Sequence, residues 1–108
     1  MANRTYSPQT VSALRILSQL IQLKRKERGL TQQDLAGRLG VSRSLVQRVE
    51  SAETRCEIGV VFEMAHLLGI QLFQSPESHS TLLASLHDKL ALLPARVLVP
   101  KQEVSNDF

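Results

Sequence analysis

The stretch TQQDLAGRLGVSRSLVQRVESA, residues 31–52, decides the fold of this chain. Thr31 and Asp34 stand three residues apart, a spacing that predicts a helix start in which the two residues cap each other. Gly40 follows the apolar positions of that helix and predicts a tight turn. Ser42 then begins a second short helix that runs to the end of the stretch. The stretch therefore predicts two short helices folded against each other around one glycine.

The side chains between these two helices are small or aliphatic. Helices can cross closely only where the residues between them leave room for the backbones. Such residues recur here in the small–glycine–aliphatic–aliphatic spacing of a helix-turn-helix, at Leu35, Ala36, Leu39, Gly40, Leu45, Val46 and Val49. We therefore predict a helix-turn-helix in which the second helix packs on the first.

The other side of the second helix carries cationic and polar side chains without a carboxylate. At 100° per residue, one arc of that helix holds Arg43, Ser44, Gln47, Arg48 and Ser51, which we call the reading face. A solvated helix face normally mixes the two charge signs. Arginine and glutamine donate paired hydrogen bonds to guanine and adenine, and serine reaches a base or a phosphate. We therefore predict that this helix lies in the major groove of DNA.

Within the reading face, Arg43, Ser44 and Gln47 lie in the N-terminal half of the helix, which normally faces the base edges. Arg48 lies further along and is expected to contact a base or a phosphate. Gln32 and the free backbone N–H groups at the start of the first helix are predicted to bind a phosphate, assisted by the helix dipole. Ser42 is predicted to do the same at the second helix.

Glu50 is the one acid that flanks the reading face. Without a partner it would repel the phosphates of DNA. We predict that Arg25, at the end of the preceding helix, neutralises Glu50 in a partly buried ion pair. Lys24, Lys26 and Arg28, in the same basic helix end, are weaker phosphate candidates.

Outside this stretch, apolar spacing predicts further helices at residues 8–28, 58–68 and 81–93, which gives an all-α fold. We expect two parts. Residues 1–75 form the DNA-binding domain, and residues 76–108 form a C-terminal helix and a flexible tail.

The segment at residues 70–73 alternates like a short dimerising β-strand. Its apolar residues Ile70, Leu72 and Phe73 need a pairing partner, because one isolated strand is not stable. Pairing with a symmetry copy would satisfy both backbones and produce a homodimer. The alternative is pairing with residues 96–99 of the same chain. We favour the homodimer, which would read two half-sites about 34 Å apart.

Charge is distributed unevenly along the 108 residues. Residues 1–55 hold ten Lys and Arg against four Asp and Glu, whereas residues 56–108 hold three against six. A basic first half favours a polyanion such as double-stranded DNA. The sequence has no apolar run long enough to span a membrane and no apolar leader at its N-terminus. With a single cysteine, these features predict a cytoplasmic protein without a membrane partner.

Residues that support catalysis or metal binding are scattered. His66, His79 and His87 lie on different segments, and Cys56 is the only cysteine. The sequence contains no HExxH, CxxC, glycine-rich phosphate loop or nucleophile elbow. We therefore predict no catalytic residue, no metal site and no cofactor. An arginine-activated thiol at Cys56 is the alternative to an inert cysteine, which we favour.

The same residues resemble the XRE, or Cro/C1-type, helix-turn-helix family over about Leu14–Leu72. The resemblance is carried by GLTQQDLA at 29–36, by Gly40, Val41, Ser42, Val46, Val49 and Glu50, and by the helix that follows. It implies a bundle of about five helices that binds palindromic operators as a dimer. It also implies a salt bridge between Arg25 and Glu50 and DNA contacts from Gln32, Arg43, Ser44 and Arg48.

Both ends resemble HipB-type antitoxins more closely, through Tyr6-Ser7-Pro8-Gln9 and Gly69–Phe73. That resemblance implies a dimer built through the strand and a C-terminus that contacts a HipA-like kinase toxin. The acidic-aromatic segment suited to such a contact is Asn106-Asp107-Phe108. Residues 81–93 and 96–99 are additions to the family pattern.

We therefore expect an operator-binding regulator that represses its own operon as the antitoxin of a HipA-like kinase. Two alternatives remain. One is a phage-type repressor, and the other is a protein-interaction module that uses the acidic, amphipathic C-terminal third.

Overall fold

The structure is a computed structural model that describes residues 4–73 and 78–96. In these ranges all regular structure is helical, so the predicted all-α class is confirmed. The helices are α1 (Pro8–Glu27), α2 (Gln32–Leu39), α3 (Arg43–Glu50), α4 (Ile58–Leu67) and α5 (His79–Ala91). The chain divides into two units between Phe73 and Gln74. None of the helices in the described ranges is both long enough and apolar enough to cross a bilayer.

Four of the helices start at a side chain that caps the first turn. At α2 the predicted reciprocal cap is present. Thr31 Oγ1 accepts from the Asp34 backbone N–H at 3.0 Å, and Asp34 Oδ2 accepts from the Thr31 backbone N–H at 2.9 Å. A serine hydroxyl caps each of the other three, at α1, α3 and α5 respectively: Ser7, Ser42 and Ser78. These local hydrogen bonds fix where the helices begin.

The first four helices end in a common pattern. A residue with a left-handed backbone conformation follows the helix, and the N–H of the next residue donates to a carbonyl in the last turn. These bonds run from Leu30 to Arg25, from Val41 to Ala36, from Glu53 to Arg48 and from Ile70 to Ala65. Gly40 makes the turn between α2 and α3 with a φ of +69°. After α3 the left-handed residue is Ala52, with a φ of +60°, although this conformation costs a residue with a Cβ about 1–2 kcal/mol.

The core of the first unit lies where α1–α4 meet. Its buried apolar side chains come from all four helices and from two of the three residues that follow α4: Ile21, Leu35, Ala36, Val46, Val49, Met64, Ala65, Leu68 and Ile70. Leu35 and Ala36 on α2 and Val46 on α3 are each fully buried. This packing fixes the rotation of α3 about its own axis, and with it the side chains that α3 presents to solvent.

Residues 70–73 are irregular, and the strand that we predicted there is not found. Gly69 adopts a φ of +72°, and the next N–H, that of Ile70, bonds to the Ala65 carbonyl at 2.8 Å. This turn directs Ile70 into the core, where it is 9% exposed, so Ile70 does not lie on an open apolar edge. Leu72 is half-buried, whereas Phe73 is 54% exposed and its ring centroid lies 6.1 Å from that of Phe62.

The first unit contains four helices among its described residues, fewer than the bundle of about five that the family resemblance implies. The fifth, α5, belongs to the second unit and begins two residues earlier than predicted. Its predicted apolar face is exposed at Leu83, Leu86 and Leu90. The predicted toxin contacts Asn106, Asp107 and Phe108 lie outside the described residues, as does the 96–99 segment apart from Arg96.

Candidate nucleic-acid interface

The second helix of the helix-turn-helix, α3, has one buried and one exposed side. Val46 is fully buried, Val49 is 5% exposed and Leu45 is half-buried against the core. All five residues of the reading face are exposed, namely Arg43, Ser44, Gln47, Arg48 and Ser51. The structure therefore brings four of the predicted reading residues together on the exposed side of α3, and the fifth, Ser51, is the C-cap because α3 ends at Glu50, two residues earlier than predicted.

The cations of the reading face are available to a ligand. In the described ranges, no carboxylate forms an ion pair with Arg43 or Arg48. The hydroxyl of Ser51 donates to the Gln47 carbonyl at 2.8 Å, which occupies that hydroxyl proton within the helix end. An exposed pair of unpaired guanidinium groups on an eight-residue helix suits a polyanion, because each group carries several donors in a fixed plane.

Glu50 does not contribute to the charge of this face, because its carboxylate is buried against Arg25. The side chains of Arg25 and Glu50 are 8% and 3% exposed, respectively. Arg25 Nε lies 2.6 Å from Glu50 Oε2, and Arg25 Nη2 lies 2.9 Å from Glu50 Oε1. The hydrogen bond to Glu50 is the main reason that the pKa of Arg25 is raised above its ordinary value. This two-pronged pair joins the end of α1 to the end of α3.

Arg25 also holds the loop that leads into α2. Its Nη1 donates to the backbone carbonyl of Leu30 at 2.8 Å. This contact was not part of the sequence prediction, and no pattern of residue types indicates a bond to a main-chain oxygen. One guanidinium therefore joins α1, the loop before α2 and the end of α3.

The start of α2 holds the other predicted phosphate ligand, Gln32, which is half-buried. Its Nε2 donates to Glu50 Oε1 at 3.1 Å, so the side chain is hydrogen-bonded to the Arg25–Glu50 ion pair. Asp34 lies on the same first turn. Its pKa is lowered mainly by the hydrogen bond that it accepts from the Thr31 backbone N–H. At α3, Ser42 Oγ accepts from the Leu45 N–H at 3.1 Å, which leaves its own proton free to be donated.

Comparison with known proteins identifies the family of this helix-turn-helix. A family model described as helix-turn-helix matches residues 21–74, which is half of the chain. The chain belongs to the XRE (Cro/C1-type) helix-turn-helix family. Members of this family bind DNA, and the matched range runs from within α1 to just beyond α4.

Two solved structures resemble this helix-turn-helix protein in fold. One is described as "MDT Protein", and the other is a chain from the structure of a HipA-HipB-O2-O3 complex. Each is 18% identical in sequence with a TM-score of 0.52, and each match covers 71% of this chain and 100% of the other. At this identity the likeness concerns the fold. No curated protein matches the sequence significantly.

Two of the weaker phosphate candidates of this helix-turn-helix protein have partners within the chain. Lys24 Nζ lies 3.5 Å from Glu27 Oε1, and Arg28 Nη1 donates to the Leu67 carbonyl at 2.9 Å, at the end of α4. Lys26 is exposed. Two of the cations at the end of α1 are therefore engaged within the fold, Lys24 in an ion pair and Arg28 as a donor to the last carbonyl of α4.

Cys56 lines an apolar cleft of about 370 Å³ in the first unit, together with Leu14, Leu17, Val61 and Phe62. Burial raises the pKa of the Cys56 thiol, and Glu53 adds to this effect more than Arg48 opposes it. A raised pKa disfavours the thiolate, which supports the inert cysteine over the activated one. Among the described residues, no three His, Cys, Asp or Glu side chains are grouped closely enough to share a metal ion.

Proposed function

We propose that this helix-turn-helix protein is a sequence-specific, DNA-binding transcriptional regulator. The observation that carries the proposal is the exposed reading face of α3, whose arginines are unpaired while the neighbouring acid Glu50 is buried in an ion pair. A groove-binding helix needs a positive, solvent-accessible side and a firmly packed opposite side. The α3 helix has both.

Each residue of the site has a proposed role. Arg43 donates two hydrogen bonds to a guanine edge, and Gln47 pairs with an adenine edge. Ser44 contacts a base, and Arg48 contacts a base or a phosphate further along the groove. Ser42 donates its free hydroxyl proton to a phosphate, and Gln32 contacts a phosphate from the start of α2.

Binding should depend strongly on salt concentration, because each phosphate contact displaces condensed counterions. With about 6–10 phosphate contacts per dimer, affinity should fall about 10³–10⁵-fold between 50 and 200 mM salt. The measurement is a fluorescence-anisotropy titration of a labelled duplex from upstream of the gene, repeated at several salt concentrations. An affinity that stays constant across this range would contradict the proposal.

We further propose that the protein acts as a homodimer. Support comes from the apolar side chains exposed at the C-terminal end of the first unit, where Phe73 and Phe62 are in contact and Ile58 is also exposed. A second copy that meets this patch about a two-fold axis would cover both sets of side chains at once. Leu72 and Phe73 thus keep a proposed role in dimerisation, whereas Ile70 acts within the core.

The dimer is tested by the variant Phe73→Ser, measured by sedimentation at micromolar concentration. The unmodified protein should sediment as a dimer and the variant as a monomer, because the substitution removes the most accessible aromatic group of the patch. Ile16→Ser, at an exposed apolar position of α1 that does not line the cleft beside Phe62, is a control that should remain dimeric. An unmodified protein that is monomeric at this concentration would refute the homodimer.

The proposed biological role is that of an antitoxin that represses its own operon and restrains a HipA-like kinase. Support comes from the fold likeness to a chain of a HipA-HipB-O2-O3 complex and from the acidic-aromatic sequence Asn106-Asp107-Phe108. A reading frame for a kinase-like protein beside this gene is the expected genomic setting. A phage-type repressor would have phage genes in that position instead.

A second candidate function is protein binding through α5. The observation that favours it is the exposed leucine face of this helix, at Leu83, Leu86 and Leu90. Leucines at i, i+3 and i+7 match the pattern of an amphipathic helix that lies in an apolar groove of a partner. This function is compatible with DNA binding, because α5 and the reading face belong to different units of the chain.

A further inference from the structure

The side-chain amide of Gln32 lies where α2 meets α3 and the buried ion pair. Its Nε2 donates to Glu50 Oε1 at 3.1 Å, and the same oxygen accepts from Arg25 Nη2 at 2.9 Å. Gln32 is the first residue of α2, and Glu50 is the last residue of α3. One amide group therefore joins the start of one helix to the end of the next through a carboxylate that is 3% exposed.

This hydrogen bond has a geometric consequence for α3. The C-terminal end of α3 is held by the buried side chain of Val49 and by the bonds that Glu50 accepts from Arg25 and Gln32. Arg25 ties Glu50 to α1, whereas Gln32 is the polar side chain that ties it directly to α2. A helix that tilts by a small amount at this end moves the side chains of its reading face across the base edges.

An amide nitrogen carries two N–H donors, and Glu50 takes one of them. Gln32 is half-buried, so the side chain is also reachable from solvent. The contact with Glu50 and a contact with a phosphate are therefore compatible in one side chain.

We infer that Gln32 is a positioning residue for the reading helix, so that it contributes to sequence discrimination as well as to affinity. The inference rests on the proposed function, because discrimination presupposes DNA binding. A pure phosphate contact strengthens binding equally on all sequences. A residue that sets the placement of α3 strengthens binding more on the sequence whose bases α3 reads.

The first experiment compares Gln32→Met with Gln33→Met, a neighbouring and exposed control. The probes are a duplex that the unmodified protein selects from a random pool and a scrambled duplex of the same composition. For Gln32→Met, the ratio of the two affinities should fall about tenfold, in line with one lost hydrogen bond to a charged group. Gln33→Met should leave the ratio unchanged. An equal loss on both duplexes for Gln32→Met would overturn the inference.

The second experiment uses no DNA and tests the contact between the two side chains. Gln32→Glu places a second carboxylate beside Glu50 and should lower the melting temperature. Glu50→Gln, made in the same chain, restores an amide–carboxylate pair with the donor reversed. The stability lost in the double variant should therefore be smaller than the sum of the two single losses, by about tenfold in the folding equilibrium constant. Strict additivity would overturn the contact.

The two experiments also separate the inference from the proposed function. A protein that selects no duplex from the pool would refute DNA reading. The stability measurements on the Gln32→Glu and Glu50→Gln variants, made without DNA, would still show whether the two side chains are in contact. A coupled pair with an unchanged affinity ratio would leave Gln32 a structural residue and end its role in discrimination.

Discussion

Replacing Arg25 by alanine should lower the free energy of unfolding by about 3–5 kcal/mol. The Arg25 and Glu50 side chains are 8% and 3% exposed, so the substitution would leave a buried carboxylate with Gln32 as its remaining side-chain partner. The bond to the Leu30 carbonyl would be lost as well. Small domains are stable by only about 5–15 kcal/mol, so this loss should be plain in a urea or thermal unfolding curve.

The neighbouring pair of Lys24 and Glu27 provides a matched control on the same helix. Those side chains are 42% and 56% exposed, and a surface pair of this kind contributes about 0–1 kcal/mol. Lys24→Ala should therefore unfold almost as the unmodified protein does. An Arg25→Ala variant that unfolds at the same temperature as Lys24→Ala would show that the buried pair does not stabilise the fold.

Two further variants separate the loss of charge from the loss of shape. Arg25→Lys keeps the charge but cannot form the two-pronged bond, so it should recover only part of the stability. Replacing Arg25 by methionine and Glu50 by leucine together removes both charges from the interior. This double variant should be much more stable than Arg25→Ala, because no uncompensated charge remains buried.

The paired substitution Arg43→Ala and Arg48→Ala should lower operator affinity about 10²–10⁴-fold without changing stability. Each well-placed side-chain–base pair contributes about 1–3 kcal/mol of discrimination, and about 1.4 kcal/mol corresponds to tenfold in affinity. Both arginines are exposed and have no ion-pair partner in the described ranges, so their removal should change unfolding by at most about 0.5 kcal/mol. Anisotropy titration and thermal unfolding measure the two effects on the same samples.

The control must remove the same charge elsewhere, because net charge alone alters binding to DNA. Arg15→Ala with Arg38→Ala does so at two exposed positions outside α3. This control should retain most of the operator affinity and the discrimination between operator and scrambled duplex. Equal losses for the two double variants would mean that α3 supplies charge and does not read bases.

The same variant separates the two candidate functions. If α5 binds a partner protein through its leucine face, the Arg43 and Arg48 variant should still bind that partner, because α5 belongs to a different unit of the chain. A protein that binds a partner through α5 but never binds DNA would favour the interaction module over the transcriptional regulator.

Local spacing was sufficient to predict the helix boundaries around the candidate site. The Thr31 and Asp34 cap, the left-handed Gly40 and the Ser42 cap depend on hydrogen bonds between residues at most a few positions apart. The division of α3 into a buried and an exposed side follows from the 3.6-residue period in the same way. For this reason, the exposed positions of all five residues of the reading face could be predicted from sequence.

The sequence also placed Arg25 opposite Glu50, because an acid beside a DNA-binding face needs a partner and the family resemblance supplied one. The way in which the pair is built came only from the structure. The bond from Gln32 and the bond to the Leu30 carbonyl link segments whose relative placement no period within one helix encodes.

The segment after α4 shows where local pattern misleads. The alternation at residues 70–73 predicted a strand, but Ile70 closes the end of α4 and enters the core instead. By itself, the sequence determined the helices of the first unit, the caps of α2 and α3 and the polar face of α3, because these depend on contacts between residues close together along the chain. Only the tertiary structure decided that Ile70 is buried, that Gln32 donates to Glu50 and that Arg28 donates to the end of α4. Each of these depends on how separate helices pack.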